Sequence, residues 1–393
     1  MTDSISDKIF SIAEEFPLKN ALCINEDGWW DFQRLVTSTD LFKIEFIQSG
    51  VIEFSLVAIV GDLCNSTISV FLALQSLGAT ACFLGAEINS TDLDERINNS
   101  LAEFIVDPKK ETIIHTGFNP TENFTRYKKI ALLKKRWPSV VFYTSGTSGK
   151  SKGVQLTKRN ISSTVLSLLD YLPINESNVV ASFSSIYSDF GFYNIILPLC
   201  VGSSAVYIDQ STSINLIFLK IIYYKINVIH AFPPLLEKIY EGKAVEKNVF
   251  PCMDYICSSG QRMKKSTIEK ILNHSPSCEL HLGYGLTECK RALSLHPKFI
   301  SEKPDSVGKP IFGVKAYLVD NQRDQVRKTN TQGELCLVSD QVTCGYFYND
   351  FDTKKIIKKL KFSNEIALFT GDFFTRMMMG FIISYQENLE LYL

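Results

Sequence analysis

The stretch Ser139-Val-Val-Phe-Tyr-Thr-Ser-Gly-Thr-Ser-Gly-Lys-Ser-Lys-Gly-Val154 decides how this chain is read. Residues 139–143 form an apolar run of strand type. From Thr144 to Gly153 the composition changes to three glycines, five Ser or Thr hydroxyls and two lysines. Glycine lets a backbone turn its N–H groups inward around phosphate oxygens. The hydroxyls add donors, and Lys150 and Lys152 bring positive charge to a polyphosphate. The generic P-loop GxxxxGK[ST] fits only at its end, Gly149-Lys150-Ser151, because its leading glycine falls on Thr144. A plain Ser/Gly linker has no need of the Lys-Gly ending.

Outward from this stretch, apolar runs alternate with segments of helical spacing. Residues 55–61 (SLVAIVG), 79–85 (ATACFLG), 178–184, 203–209, 227–232, 253–259 and 279–285 read as strands. Residues 67–79, 158–171, 190–200, 213–225, 233–241 and 264–274 read as helices. Such alternation predicts parallel sheets with helices on both faces. After Pro310 two strands, 315–322 and 333–340, flank a polar turn. The expected fold class is therefore α/β: two parallel-sheet α/β subdomains with flanking helices, plus a small C-terminal antiparallel β-unit. The expected divisions are 1–175, 176–310 and 311–393, in line with roughly 150 residues per domain.

The loop Thr144, Ser145, Gly146, Thr147, Ser148, Gly149, Lys150, with Lys152 and Gly153 beyond it, resembles the phosphate loop of the adenylate-forming (AMP-binding) superfamily. That superfamily comprises acyl-CoA synthetases, peptide-synthetase adenylation domains and luciferases, whose pattern is [ST]-S-G-[ST]-[ST]-G-x-P-K-G. Ser151 stands where the pattern has proline. Further blocks follow in the superfamily's order. Gly283-Tyr-Gly-Leu-Thr-Glu288 matches its YGxTE motif, and Cys257-Ser-Ser-Gly-Gln261 its adenine turn. Asp305-Ser-Val-Gly-Lys-Pro310, Gly333-Glu-Leu335 with Gly345-Tyr346, and Phe369-Thr-Gly-Asp372 match three later blocks. The resemblance implies ATP and Mg²⁺ as cofactors. Ser259, Gly260 and Gln261 would line the purine, though at Gln261 a plain strand-to-helix turn is a competing reading. Tyr284, followed by Gly285, would stack on adenine, and Thr287 would contact the α-phosphate. Glu288 would hold the metal, and Asp372 would accept both ribose hydroxyls.

The implied reaction joins a carboxylic acid to AMP and then passes the acyl group to a thiol, of CoA or of an acyl or peptidyl carrier protein. Tyr187-Ser-Asp-Phe-Gly-Phe-Tyr-Asn194 is the substrate clue. It resembles the peptide-synthetase pattern, whose Asp pairs with a substrate ammonium, and equally the His-Asp-Met-Gly of fatty acyl-AMP ligases. Asp189 matches the Asp of both, so an amino acid, a plain acyl acid and a structural Asp189 all stay open. Phe190, Tyr193 and residues 230–234 would line the pocket or serve as packing. The substrate pocket and adenine site fall in 176–310, and 311–393 would end at the family's hinge. The family's catalytic-lysine domain is expected beyond that hinge. Its absence from this sequence implies slow adenylation, completion by a separate C-terminal domain, or a non-catalytic nucleotide- or acyl-adenylate-binding role.

Composition excludes several classes. Forty-one basic residues against 42 acidic give a net charge of -1, so no nucleic-acid partner is expected. The basic clusters within 126–136 and 354–361 read as solvated faces or as a docking patch for an acidic carrier or a phosphate-rich cofactor. Ten cysteines lie singly, with no CxxC and no metal spacing, which suits a reduced, cytoplasmic protein. MTDSISDKIF has no basic and apolar leader pattern, and no run reaches the ~18 apolar residues of a membrane span.

Overall fold

The Val140–Thr144 strand lies inside a six-stranded sheet in the computed structural model of the chain, which describes residues 4–25, 27–85, 90–144, 151–241, 252–376 and 382–384. Its parallel centre is Phe104–Asp107, Leu56–Val60, Thr80–Gly85 and Val140–Thr144 in spatial order. Leu56–Val60 is apolar at every position and buried on both faces, as a strand covered by helices must be. Thr112–His115 and Lys152–Leu156 close the two edges antiparallel. The hairpin partner Lys152–Leu156 is not evident from the sequence, because its lysine and glycine read as loop.

A second sheet carries six parallel strands: Asn20–Ile24, Ser204–Tyr207, Val179–Ser182, Val228–His230, Tyr255–Ser259 and Glu279–Leu286. The N-terminal strand thus pairs far along the chain, with Leu22 opposite Ala205. Cys289–Leu295 and Ser306–Pro310 continue the sheet antiparallel. Through Ile382–Ser384 it runs into a small antiparallel unit of Ile366–Arg376, Gln332–Val338 and Lys315–Val319. The α/β class with a C-terminal antiparallel unit is therefore the architecture observed.

Local chemistry sets the helix starts. Thr157 and Asn160 form a capping box ahead of Lys158–Tyr171. Ser188 caps Asp189–Leu199 by accepting from the Gly191 amide at 3.2 Å. A Cβ at Gly191 would come 2.1 Å from the Ser185 carbonyl, so this tight entry requires glycine. The two sheets share one apolar core, which contains Val57, Phe83 and Val140 of the first and Leu22, Val180 and Ala205 of the second. Among the described residues, no helix is long and apolar enough to cross a membrane. All ten cysteines are unbonded.

Candidate functional site

The glycine-rich loop has both ends held together. Thr144 sits opposite Lys152 in the hairpin, and Ser151 Oγ donates to the Thr144 carbonyl at 3.2 Å. Ser145, Gly146, Thr147, Ser148, Gly149 and Lys150 lie outside the described residues. Segment 343–347 ties this hairpin to the other sheet. The Gln155 amide donates to the Gly345 carbonyl, the Phe347 amide to the Gly153 carbonyl, and the Thr343 amide to the Glu288 carbonyl at 2.8 Å.

Thr287 and Glu288 form the tip of the hairpin between Glu279–Leu286 and Cys289–Leu295, with Leu286 opposite Cys289. A bulge lies just behind the tip: Arg291 has φ +47, and a Cβ at Gly285 would stand 2.2 Å from the Arg291 amide nitrogen. Tyr346 then joins the parts. Its hydroxyl donates to Glu288 Oε1 at 2.7 Å, and the Lys152 ammonium lies 5.2 Å from its ring centroid. Asp352 pairs with Lys152 at 3.2 Å. Burial pushes the Glu288 carboxyl above its ordinary value, and the Tyr346 hydrogen bond opposes that rise. A half-buried carboxylate that is costly to ionise alone suits a site completed by a cation.

Tyr284 and Asp372 come together from strands 88 residues apart, the phenol donating to Asp372 Oδ2 at 2.6 Å. Burial raises the Asp372 carboxyl and this bond opposes it. Gly371, at φ +77, donates its amide to Glu334 of the GEL block at 3.0 Å, which fixes the turn that presents Asp372. Ser259 ends its strand in the core. Gly260 follows at φ +94, where a Cβ would come within 2.7 Å of the Phe232 ring. Gly260 and Gln261 line a cleft of about 550 Å³ with Phe183, Ser184, Phe232 and Leu235. It opens at the carboxyl ends of the parallel strands, where open α/β sheets take their ligands.

Asp189 starts its helix between these two regions. Its Oδ1 accepts from Thr287 Oγ1 at 3.2 Å, and its Oδ2 pairs with Lys290 at 2.8 Å. Phe190 stacks on Phe232 of the cleft wall, centroids 4.3 Å apart. Tyr193 lies wholly in the core, edge-on to Phe192, and takes no place on the cleft wall. Lys290 and Arg291 are site residues that motif reading misses. Their signal in the sequence is a basic pair opening an otherwise apolar strand, CKRALSL.

A model of the AMP-binding enzyme family matches residues 10–347. The chain belongs to the AMP-binding enzyme family. Indigoidine synthase of Dickeya dadantii is 26% identical over 220 residues, covering 53% of this chain and 14% of that protein. 4-Coumarate-CoA ligase 1 of Narcissus pseudonarcissus is 24% identical over 238 residues, covering 58% of this chain and 43% of that one. The matches thus span less than half of each relative's length. Among solved structures, that of VinN has the same fold at TM-score 0.81 and 17% identity, covering 98% of this chain and 99% of that one. In this AMP-binding protein the described ends of the glycine-rich loop meet the Glu288 turn through Tyr346, and Tyr284, four residues before Glu288, meets Asp372.

Proposed function

We propose that this AMP-binding protein binds magnesium ATP and activates a carboxylic acid as its acyl-adenylate, for transfer to a thiol of CoA or of a carrier protein. The observation that carries the reading is Tyr346, which links the Glu288 carboxylate to Lys152 at the exit of the glycine-rich loop. Two groups suited to a magnesium polyphosphate, an acid and a lysine, thereby share one neighbourhood although 136 positions separate them in sequence.

A carboxylate oxygen of the substrate attacks the α-phosphorus, the bond to the bridging oxygen breaks, and pyrophosphate leaves with its electron pair. Glu288 is the residue that would hold Mg²⁺, whose charge would offset that of the phosphates. Thr287 stands beside it to donate to an α-phosphate oxygen. Tyr284 and Asp372 present an aromatic face and a two-oxygen acceptor, suited to a purine and a ribose diol. Gly260 and Gln261 lead from that face into the cleft, which supports placing the acid there. Scattered unbonded thiols favour a reducing, cytoplasmic setting.

The test is ATP–pyrophosphate exchange over a panel of carboxylic acids, run beside calorimetry with AMP and with magnesium ATP. Exchange that depends on one class of acid, together with nucleotide uptake, is expected. Uptake without exchange for any acid would leave a nucleotide-binding protein that does not adenylate.

A further inference from the structure

Asp189 and Lys290 make a closed pair where the cleft wall meets the nucleotide residues. Their side chains are only 14% and 9% exposed, and the ammonium lies 2.8 Å from Oδ2. Thr287 occupies the other oxygen at 3.2 Å. Beside this pair Arg291 is 1% exposed. Its guanidinium donates to Cys257 Sγ at 2.7 Å, Asn194 Oδ1 at 3.2 Å and Tyr171 Oη at 3.4 Å. Burial pushes both the Cys257 thiol and the Tyr171 phenol up, so these partners are neutral. Among the described residues no carboxylate pairs with Arg291, and its Nε has no acceptor. Both cations also lie over the Phe190 ring, at 4.6 and 5.2 Å from its centroid.

Asp189 is therefore matched from within the chain by Lys290, with Arg291 also beside it and the Glu288 carboxyl near enough to interact with it. Burial lowers the Lys290 ammonium, and Asp189 opposes that fall. A substrate ammonium arriving here would find Asp189 Oδ2 already engaged by Lys290 and two like charges close by. Burying a cation without a partner is costly, and like charges add to that cost. An acid whose α-carbon bears no amine meets neither penalty.

Resting on the adenylation reading above, we infer that the acid this protein activates is an acyl or aryl acid without an α-amino group. Lys290 is the residue that sets this choice, by supplying from within the chain the cation that Asp189 would otherwise take from a substrate.

Calorimetry on the full chain tests it with three probes: AMP, and two hydrolysis-resistant sulfamoyladenosine adducts that differ only in the amine. One carries 3-phenylpropanoate and the other phenylalanine. The phenylpropanoyl adduct should bind at least about tenfold more tightly, the scale expected when one polar partner is left unmet. Lys290→Met, which frees Asp189, should shrink or reverse that ratio, and Lys290→Arg, which keeps a cation, should preserve it. Equal or tighter binding of the phenylalanyl adduct by the unaltered protein would overturn the inference while leaving the nucleotide site intact, as AMP uptake would report. Failure to bind AMP would instead overturn the adenylation reading, and this inference with it. The unaltered protein alone decides the matter if Lys290→Met does not fold.

Discussion

Glu288 shows how one residue's surroundings prepare it for a cation. Its carboxyl is raised above the ordinary 4.5 chiefly by burial. The folded chain therefore holds that proton to higher pH than the unfolded chain does. Stability is unaffected below 4.5 and is lost as pH rises through the raised value, since ionising a buried acid then costs free energy. Glu288→Gln keeps an oxygen for the Tyr346 hydroxyl and removes the charge. Its melting temperature should exceed that of the unaltered protein by a margin that grows between pH 4 and pH 7. The same variant should lose most of the thermal stabilisation that magnesium ATP provides. A margin that stays flat or narrows as pH rises would mean that burial does not raise this carboxyl. The sequence gives notice of Glu288 through YGLTE, but not of its partner, because Tyr346 lies 58 positions away and only the fold brings it within 2.7 Å.

At the scale of elements, the hairpin that carries Thr287 and Glu288 depends on its bulge. Consecutive strand residues face opposite sides, so Lys290 and Arg291 should not both be buried on the same side of a regular strand. The positive φ of Arg291 breaks that alternation and turns both cations toward Phe190. Gly285 makes room for the turn. Gly285→Ala sets a methyl against the backbone nitrogen of Arg291, an atom that cannot move aside as a flexible side chain would. The expected loss is about 1–3 kcal/mol of stability, typical of overpacking. A weaker response to AMP should accompany it, because the same hairpin holds Tyr284. Urea titration of the variant, followed by AMP calorimetry on its folded fraction, measures both, and a neutral effect on each would mean the bulge has another origin. The parallel strands were legible because 55–61 and 79–85 are apolar runs bounded by turn residues, as buried strands are. The Cys289–Leu295 strand was not, since its opening lysine and arginine look like surface until the bulge buries them.

For the whole molecule, the site exists only because two sheets are held as one body. Motif order indicated that the loop and the Glu288 turn belong to one nucleotide site, but apolar periodicity carries no record of which faces meet. Phe192 is the clearest meeting point. It belongs to the Asp189–Leu199 helix, whose first residue is part of the candidate site, and it is fully buried. Its ring packs edge-on to Phe71 at 5.0 Å and lies 5.4 Å from Phe142 and 5.9 Å from Phe83, all from the layer of the first sheet. Tyr187, just before the same helix, donates to the Gly61 carbonyl of that sheet at 2.7 Å. Phe192→Ala should cost about 3–5 kcal/mol, the range for an emptied aromatic site in a core. Because the core is continuous across both sheets, the loss should be shared. Hydrogen exchange read by mass spectrometry should show peptides from 56–60 and from 255–259 losing protection by the same factor, as one cooperative unit does. Loss confined to one set would mean that the sheets open separately, and the nucleotide site would then be a docking of two units instead of a fixed feature of one core.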